Sequence, residues 1–458
     1  MPWAMWLDSG QGDHIDACFD ILVWQPEVTL CTYGKQTHIH YLKTDDTHIS
    51  EKDPLSLLEE VQQQVLTKVD TARLETSKQD LPFLGGALGY FAYDLGRRFE
   101  KLPEQAKQDI NVPDMALGIY SQAVIFDHKK QQFSLICPQD QRSELESFLQ
   151  KQISLSNRNT RFATKQNSFA LTTCWQSNMD KPTYGEKFKL VQEYLLNGDC
   201  YQINLAQRFS ADYQGDEFQA YCALREENQA PFSAFIRLEN AVILSVSPER
   251  FLQLSQGKVQ SKPIKGTMPR SQDKVQDKQN ADILKNSNKD RAENVMIVDL
   301  LRNDISKVCQ ANTVVVPKLF DIESFPAVHH LVSTVEGKLA TEFNANNLLR
   351  GAFPGGSITG APKIRAMEII EQLEPHRRGA YCGSIGYISS CGTMDTSITI
   401  RTLVCEKSAN EQATDKVYCW AGGGLVADST ADSEYQETFD KVNRILPVLS
   451  KLNQNMSE

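Results

Sequence analysis

Apolar residues in this chain come in short runs, and turn residues cut each run well before the ~18 to 20 residues needed to cross a bilayer. Phe19–Trp24, Ala123–Phe126, Ala241–Val246, Ser384–Ile388 and Ser397–Leu403 are runs of this kind. Short apolar or alternating runs bounded by Gly, Pro, Asn and Asp read as β-strands. Longer stretches with helical periodicity lie between them, so the chain is confined to α+β architectures. At 458 residues, 41% hydrophobic and 23% charged, it can bury a large core. The 58 acidic side chains exceed the 48 basic ones, which argues against a surface built for nucleic-acid phosphates. A local cluster of Arg and Lys can still hold a small anion. The 11 cysteines include no C-x-x-C pair, so reduced thiols are expected and a Cys₄ zinc site is not. Met1–Gly10 carries no basic leader, so a cytoplasmic, membrane-free protein is the expectation.

Composition divides the chain into an N-terminal α+β region (1–150), a polar linker or surface loop (151–182) and a large C-terminal region (183–458). Thr183-Tyr-Gly-Glu186 has capping-box spacing and predicts a helix with Phe188, Val191, Tyr194 and Leu195 on one face, stopping at Asn197-Gly198. Arg270–Asp282 reads as a mobile loop. Gly86-Ala-Leu-Gly89-Tyr90 echoes Gly383-Ser-Ile-Gly386-Tyr387, which reads as two glycine-bearing strands packed closely against something. Neither dinucleotide nor P-loop glycine spacing occurs.

Several segments have the residue types for chemistry. Glu434, Glu437 and Lys441 fall within about 60° of one another on a helix, with Tyr435, Val442 and Leu446 as its buried stripe. They follow Ala421-Gly-Gly-Gly-Leu-Val426, whose backbone N–H groups can approach an anion. Asp290 and Glu293 lie on a helix apolar on more than one side, where buried acids need a basic partner or a hard divalent cation. Glu249 closes an apolar strand, a place where a carboxyl group with a raised pKa could donate a proton. Lys265, between Ile264 and Gly266, is a nucleophile if desolvated and otherwise an exposed turn residue.

In order along the chain, Pro263-Ile-Lys-Gly-Thr267, Asp290-Arg-Ala-Glu-Asn294, Val298-Asp-Leu-Leu-Arg-Asn-Asp304 and His329-His330-Leu-Val-Ser333 resemble the chorismate-utilising enzymes. Gly355-Gly-Ser-Ile-Thr-Gly-Ala-Pro-Lys363 and Gly422-Gly-Gly with Glu434, Glu437 and Lys441 continue the likeness. Leu7-Asp8-Ser9 and the Gly85-Gly86 strand extend it, more weakly, to the N-terminal region. The resemblance implies a complex sandwich of two roughly orthogonal antiparallel sheets flanked by helices, with magnesium as cofactor. It implies that Glu293 and Glu437 touch the metal while Asp290 and Glu434 hold its waters. Tyr381 and Arg401 would take the enolpyruvyl carboxylate of chorismate, and Gly422, Gly423, Gly424 and Lys441 the ring carboxylate. Ser357 stands where relatives carry Thr, and His330 matches an active-site His, with His329 structural.

Within the family, lysine at position 265 is similar to the aminodeoxychorismate synthases (the large subunit of para-aminobenzoate synthase), whereas anthranilate synthases carry Ala there. Gln202 stands where the isochorismate and salicylate synthases carry a base lysine. The implied reaction is amination of chorismate to 4-amino-4-deoxychorismate for folate synthesis, with Lys265 as covalent nucleophile and Glu249 as general acid. No glutaminase Cys-His arrangement is recognisable, so ammonia is expected from a glutamine amidotransferase partner, component II, in a heterodimer. Amidotransferase-coupled members also hold L-tryptophan in an N-terminal pocket, matched here by Ser9, Pro231, Phe232 and Ser233. The alternatives are anthranilate synthase component I, disfavoured by Lys265, and a non-catalytic tryptophan-binding subunit, disfavoured by the intact Glu249, Lys265, Glu293 and Glu437.

Overall fold

The structure is a computed structural model that describes residues 1–10, 14–66, 81–159, 168–325, 328–410 and 413–452. Its strands form two antiparallel sheets of twelve strands each. The first runs Ala170–Leu171, Gln202–Gln214, Asp415–Leu425, Thr402–Glu406, Ala241–Ser247, Phe232–Arg237, Met5–Asp8, Phe19–Val23, Ala123–Asp127, Gln132–Ile136, with Gln176–Ser177 and Gly360–Ala361 also on Gln202–Gln214. The second runs Ile264–Pro269, Val328–Lys338, Lys258–Ser261, Arg250–Ser255, Met394–Ile398, Ser384–Ser389, Gly86–Phe91, Met115–Tyr120, Val28–Tyr33, Gln36–Tyr41, Asp46–Ser50, with Val315–Ser324 beside Val328–Lys338. Inner-face residues of both sheets, among them Met5, Ile243, Leu88, Ile119, Leu252 and Ile385, share one buried core with helix residues such as Ile297 and Leu348.

The regions 1–150 and 183–458 are not separate layers, because each sheet takes strands from both. Met5 pairs with Ile236 in the first sheet, and Gly89 pairs with Gly386 in the second. The two echoing glycine segments are therefore each other's partners. A Cβ on Gly89 would stand 2.0 Å from the Ala116 carbonyl oxygen, and one on Gly386 2.1 Å from that of Asp395. Glycine is required there by close backbone approach.

Several expected elements differ in detail. The stretch 151–182 is not all loop: the helix Arg142–Asn159 runs into it, and Ala170–Leu171 and Gln176–Ser177 hydrogen-bond to Gln202–Gln214. Residues 160–167 of that stretch lie outside the described residues. The helix read from Thr183 spans Lys181–Leu196, because the Asp180 side chain accepts from the Thr183 N–H and Pro182 occupies the first turn. Arg270–Asp282 is not a loop throughout, since Asp273 caps the helix Lys274–Lys285. Leu446 belongs to a second helix, Leu446–Leu452, rather than to Ala431–Val442. The helix Asn288–Ser306 buries one face, through Asn294, Ile297, Val298, Leu301 and Ile305, and not several.

Ser397–Leu403 is two strands, not one. The chain leaves the second sheet after Ile398 and enters the first at Thr402, with Arg401 in the left-handed region at φ 52. Among the described residues no helix is long and apolar enough to cross a membrane, and all eleven cysteines are free thiols.

Gly386→Ala places a methyl group against the Asp395 carbonyl and the Thr396 Cα. It is expected to cost about 3 kcal/mol, measured as a lower urea midpoint with the m-value unchanged.

Candidate active site

The candidate residues gather where the chain passes between the two sheets. Ser247-Pro248-Glu249 carries it from Ala241–Ser247 in the first sheet to Arg250–Ser255 in the second, and Thr399–Arg401 carries it back. The two passages bond to each other. The Ser247 hydroxyl donates to the Ile398 carbonyl at 2.5 Å, the Ile398 N–H to the Glu249 carbonyl at 3.0 Å, and the Val246 N–H to the Arg401 carbonyl at 3.1 Å. Glu249 is thereby held buried at a strand end, where a surface position is the commoner outcome for a glutamate.

Lys265 lies on the strand Ile264–Pro269, opposite Leu331, with an irregularity in the ladder between it and Thr267. The residue is partly buried. Its Nζ donates to the Ser357 carbonyl at 3.3 Å, and the Ser357 hydroxyl donates to Glu249 Oε1 at 3.0 Å. One serine therefore touches both groups. Burial lowers the Lys265 pKa against the opposing pull of Glu293 and Glu249. It raises the Glu249 pKa against Lys265 and the Ser357 hydrogen bond. Both shifts favour the neutral forms, an amine able to act as a nucleophile and a carboxylic acid able to donate a proton.

Tyr381 is buried and stacks on Trp420, with ring centroids 6.0 Å apart and planes 6° from parallel. Burial, and then Arg444, lower the pKa of Arg401, which makes no salt bridge among the described residues. A buried guanidinium without a carboxylate partner suits an incoming carboxylate. His330 is buried beside Thr267, its Nδ1 2.8 Å from the hydroxyl oxygen, while its Nε2 has no hydrogen-bond partner. Burial, and next Arg401, pull its pKa down to about 3, so the ring is neutral at pH 7. His329 instead bridges Ser324 and Asp277 at 2.8 and 3.0 Å, a structural role.

Gly422, Gly423 and Gly424 end the strand Asp415–Leu425. Its partner Thr402–Glu406 pairs no further than Cys419, so beyond that point only Gln202–Gln214 flanks it. Gly424 lies against Gln202, whose Nε2 would be 1.9 Å from a Cβ there, and the Gln202 Oε1 is buried without a partner. Lys441 donates to the Gly422 carbonyl and to Glu437, both at 2.7 Å.

Four acids from two helices lie within one another's electrostatic reach, Glu434 and Glu437 beside Gly423 and Asp290 beside Gly266. A Cβ on Gly423 would meet Glu434 Oε2 at 3.0 Å and Glu437 Oε1 at 3.4 Å. Asp290 packs so close to Gly266, at φ 75, that a Cβ there would be 2.8 Å from its carboxyl carbon. Burial raises the pKa of Glu293 and of Glu434, and neighbouring acids add to it: Asp290 and Glu434 for Glu293, Glu437 for Glu434. Glu437 is lowered because Lys441 outweighs its burial. Such an all-oxygen, mutually repelling set fits a hard divalent cation.

The tightest grouping of potential ligands lies elsewhere. Among the described residues only His14, Asp16 and Glu323 bring three donor atoms within 4.8 Å of one another. Lys262 already bridges Asp16 and Glu323, at 2.7 Å to each, and Arg250 reaches Asp16 at 2.6 Å. Ser9, Pro231, Phe232 and Ser233 line a separate cavity of about 390 Å³ between the sheets, together with Asp16, Arg250 and Asp395.

Residues 4–447 match the chorismate binding enzyme family. The chain belongs to this family. It is 55% identical over 454 residues to aminodeoxychorismate synthase component 1 of Escherichia coli (strain K12), covering 98% of this chain and 94% of that one. Identity to anthranilate synthase component 1 of Thermus thermophilus is 37% over 378 residues, covering 82% and 79%. The crystal structure of anthranilate synthase component I from Streptococcus pneumoniae superposes with a TM-score of 0.77 at 30% identity, covering 95% and 93%.

The motif reading passed over Glu374 and Arg378, buried and paired at 2.6 Å beneath the Ser357 turn. A Glu and an Arg four residues apart are the commonest surface pair on helices, so spacing alone gave no signal.

Glu249→Gln removes a charge that raises the Lys265 pKa. The pH midpoint for acylation of Lys265 by an amine reagent, mapped by peptide mass spectrometry, is expected to move down. An unmoved midpoint means that the two groups do not share a field.

Proposed function

We propose that this chain aminates chorismate with ammonia to give 4-amino-4-deoxychorismate, the step toward para-aminobenzoate. The similarity over nearly the full chain to relatives named aminodeoxychorismate synthase supports that reaction, and the 37% identity to an anthranilate synthase over a shorter span favours the alternative less. The observation that carries the chemistry is the shared contact of Ser357 with Glu249 and Lys265.

The neutral Lys265 amine attacks the ring carbon ortho to the carboxylate and forms a C–N bond. Both ring double bonds shift, and the para hydroxyl leaves as water with the Glu249 proton. Ammonia then attacks the para carbon, both double bonds return, and the C–N bond to lysine breaks. The proton released from the added nitrogen returns to Glu249, while the lysine leaves as the neutral amine. One hard displacement becomes two easier ones. Arg401 and Tyr381 hold the enolpyruvyl carboxylate, and the open edge of Gly422–Gly424 donates backbone N–H groups to the ring carboxylate. Lys441 acts through Gly422 and Glu437. His330 is a neutral, uncharged wall beside Thr267. Gln202 places an amide against Gly424, and an amide is no base for activating water.

Glu293 and Glu437 would hold a magnesium ion, with Asp290 and Glu434 toward its waters. Bound there, it supplies neutralisation of the ring carboxylate.

The words "component 1" in the relatives' name support a second component, which we assign as a glutamine amidotransferase supplying ammonia. The cavity at Ser9, Pro231, Phe232 and Ser233 is assigned to L-tryptophan.

Incubation with chorismate, ammonium and magnesium is expected to give 4-amino-4-deoxychorismate by mass and chromatography. An ortho-aminated product would favour the anthranilate reading. Lys265→Ala should lower kcat at least about 10³-fold, and Lys265→Arg should be equally inactive because a guanidinium stays protonated. Para amination by Lys265→Ala at the parent rate would reject the covalent route. Excess chelator, or Glu437→Gln, should abolish turnover while circular dichroism stays unchanged, since the core does not rest on these acids. Full turnover in chelator would remove the metal from the scheme.

A further inference from the structure

Arg378 is 1% exposed and Glu374 5% exposed, and together they join two walls of the site. The guanidinium donates from Nε to Glu374 Oε2 at 2.9 Å and from one terminal nitrogen to Glu374 Oε1 at 2.6 Å. It also donates to two backbone carbonyls, that of Ile358 at 2.9 Å and that of Asn204 at 2.9 Å. Glu374 Oε1 in turn accepts the Ala206 N–H at 2.9 Å.

Ile358 directly follows Ser357, the residue that touches both Glu249 and Lys265. Asn204 and Ala206 sit opposite Gly424 and Gly422 in the strand ladder. The guanidinium also lies over the Tyr93 ring at 4.8 Å and the Tyr381 ring at 5.7 Å. These four hydrogen bonds exceed the three donors of an ammonium, so the guanidinium fork meets a demand that lysine cannot.

We propose that Arg378, paired with Glu374, is a positioning residue for the amination: it sets the spacing between the Ser357 turn and the glycine strand. Lys265 and Glu249 are referenced to the first wall, and the ring carboxylate of the substrate to the second. The Asn204 N–H bond to the Thr359 carbonyl and the pairing of Gly360–Ala361 on Gln202–Gln214 join the same walls. Together with them, the pair fixes how far the lysine nitrogen stands from the ring carbon it attacks, without touching the substrate. The inference rests on the reading of Lys265 and the glycine strand given above.

The test is R378K, which keeps the charge and loses the fork. Its kcat for chorismate at saturating ammonium is expected to fall about 100-fold, the scale of an ångström of misplacement, with KM changed less than about threefold. Rates are divided by the folded fraction from near-ultraviolet circular dichroism, so a merely structural role would leave them at the parent value. If R378K does not fold, R378M/E374L replaces the pair by apolar side chains of similar size, which buried ion pairs often tolerate, and the same fall in kcat is expected. A folded variant of either kind with the parent kcat, or a loss carried wholly by KM, overturns the proposal. Failure of the parent protein itself to aminate chorismate would instead sink the functional reading.

Discussion

Two passages of the backbone between the sheets, tied to each other by three hydrogen bonds, hold up the rest of the site. Ser247 and Ile398, Ile398 and Glu249, and Val246 and Arg401 are the bonded residues. A strand that ends in one sheet and resumes in the other must present a few residues to the gap between them. Here those residues are the general-acid candidate, Glu249, and Arg401, the arginine proposed to bind a carboxylate. Arg401 accepts a left-handed backbone, costly for an arginine by about 1 to 3 kcal/mol. Its carbonyl is held by Val246, and its neighbours are fixed within both sheets. Moving either passage would shift Glu249 relative to Arg401, and with it the two ends of any substrate lying between them.

Burial in that gap acts against the charged forms of both groups. Burial moves the Lys265 amine down and the Glu249 carboxyl up. Their mutual attraction opposes both shifts and is outweighed in each case. Ser357 moderates the competition by donating to the carboxyl and accepting from the amine. The active protonation state has one proton on the pair, located on Glu249. The charged pair, Lys265⁺ with Glu249⁻, contains the same single proton. A pH profile would consequently be bell-shaped, with limbs that belong to the pair and not to either residue.

How much could be read from the residues depended on whether a feature was local. Strands such as Ala241–Ser247 and Ser384–Ser389 carry their pattern within a few residues and were placed well. The break inside Ser397–Leu403 was not visible, because Ile398 and Leu403 are both apolar and only the existence of two sheets separates them. The polar run 270–282 looked like a loop, since Asp277 faces Arg270, Ser271 and His329 from within a helix. Chemistry-bearing side chains stood out by type, but what neutralises them is tertiary. Ser357 stands where relatives carry Thr, and its hydroxyl donates to Glu249, a contact that only the tertiary structure shows. Lys441, read as an anion binder, is engaged by Gly422 and Glu437.

Two groups of acids in this protein show why crowding alone is a poor guide to a cation site. Asp16 and Glu323 are the more closely gathered, with His14 between them. Their pKa values are nevertheless lowered: burial opposes, but Arg250 and Lys262 outweigh it for Asp16, and the nearby His14 ring together with the Lys262 hydrogen bond do so for Glu323. Side chains of the protein itself already complete that network, and a divalent ion would have to displace two buried cations. Glu293 and Glu434 both have raised pKa values, because burial dominates and neighbouring acids add to it. Lys289 stands 3.9 Å from Glu434, half exposed, and Lys441 is turned to Glu437. Here the deficit of positive charge is real and lies beside the open edge of Gly423. The same field acts on Lys265, whose pKa Glu293 and Glu437 raise. A cation neutralising these two acids would leave burial as the dominant influence on the lysine and favour its neutral form. Charge balance at the acids and nucleophilicity at the lysine are therefore one electrostatic problem, solved at one place in the fold.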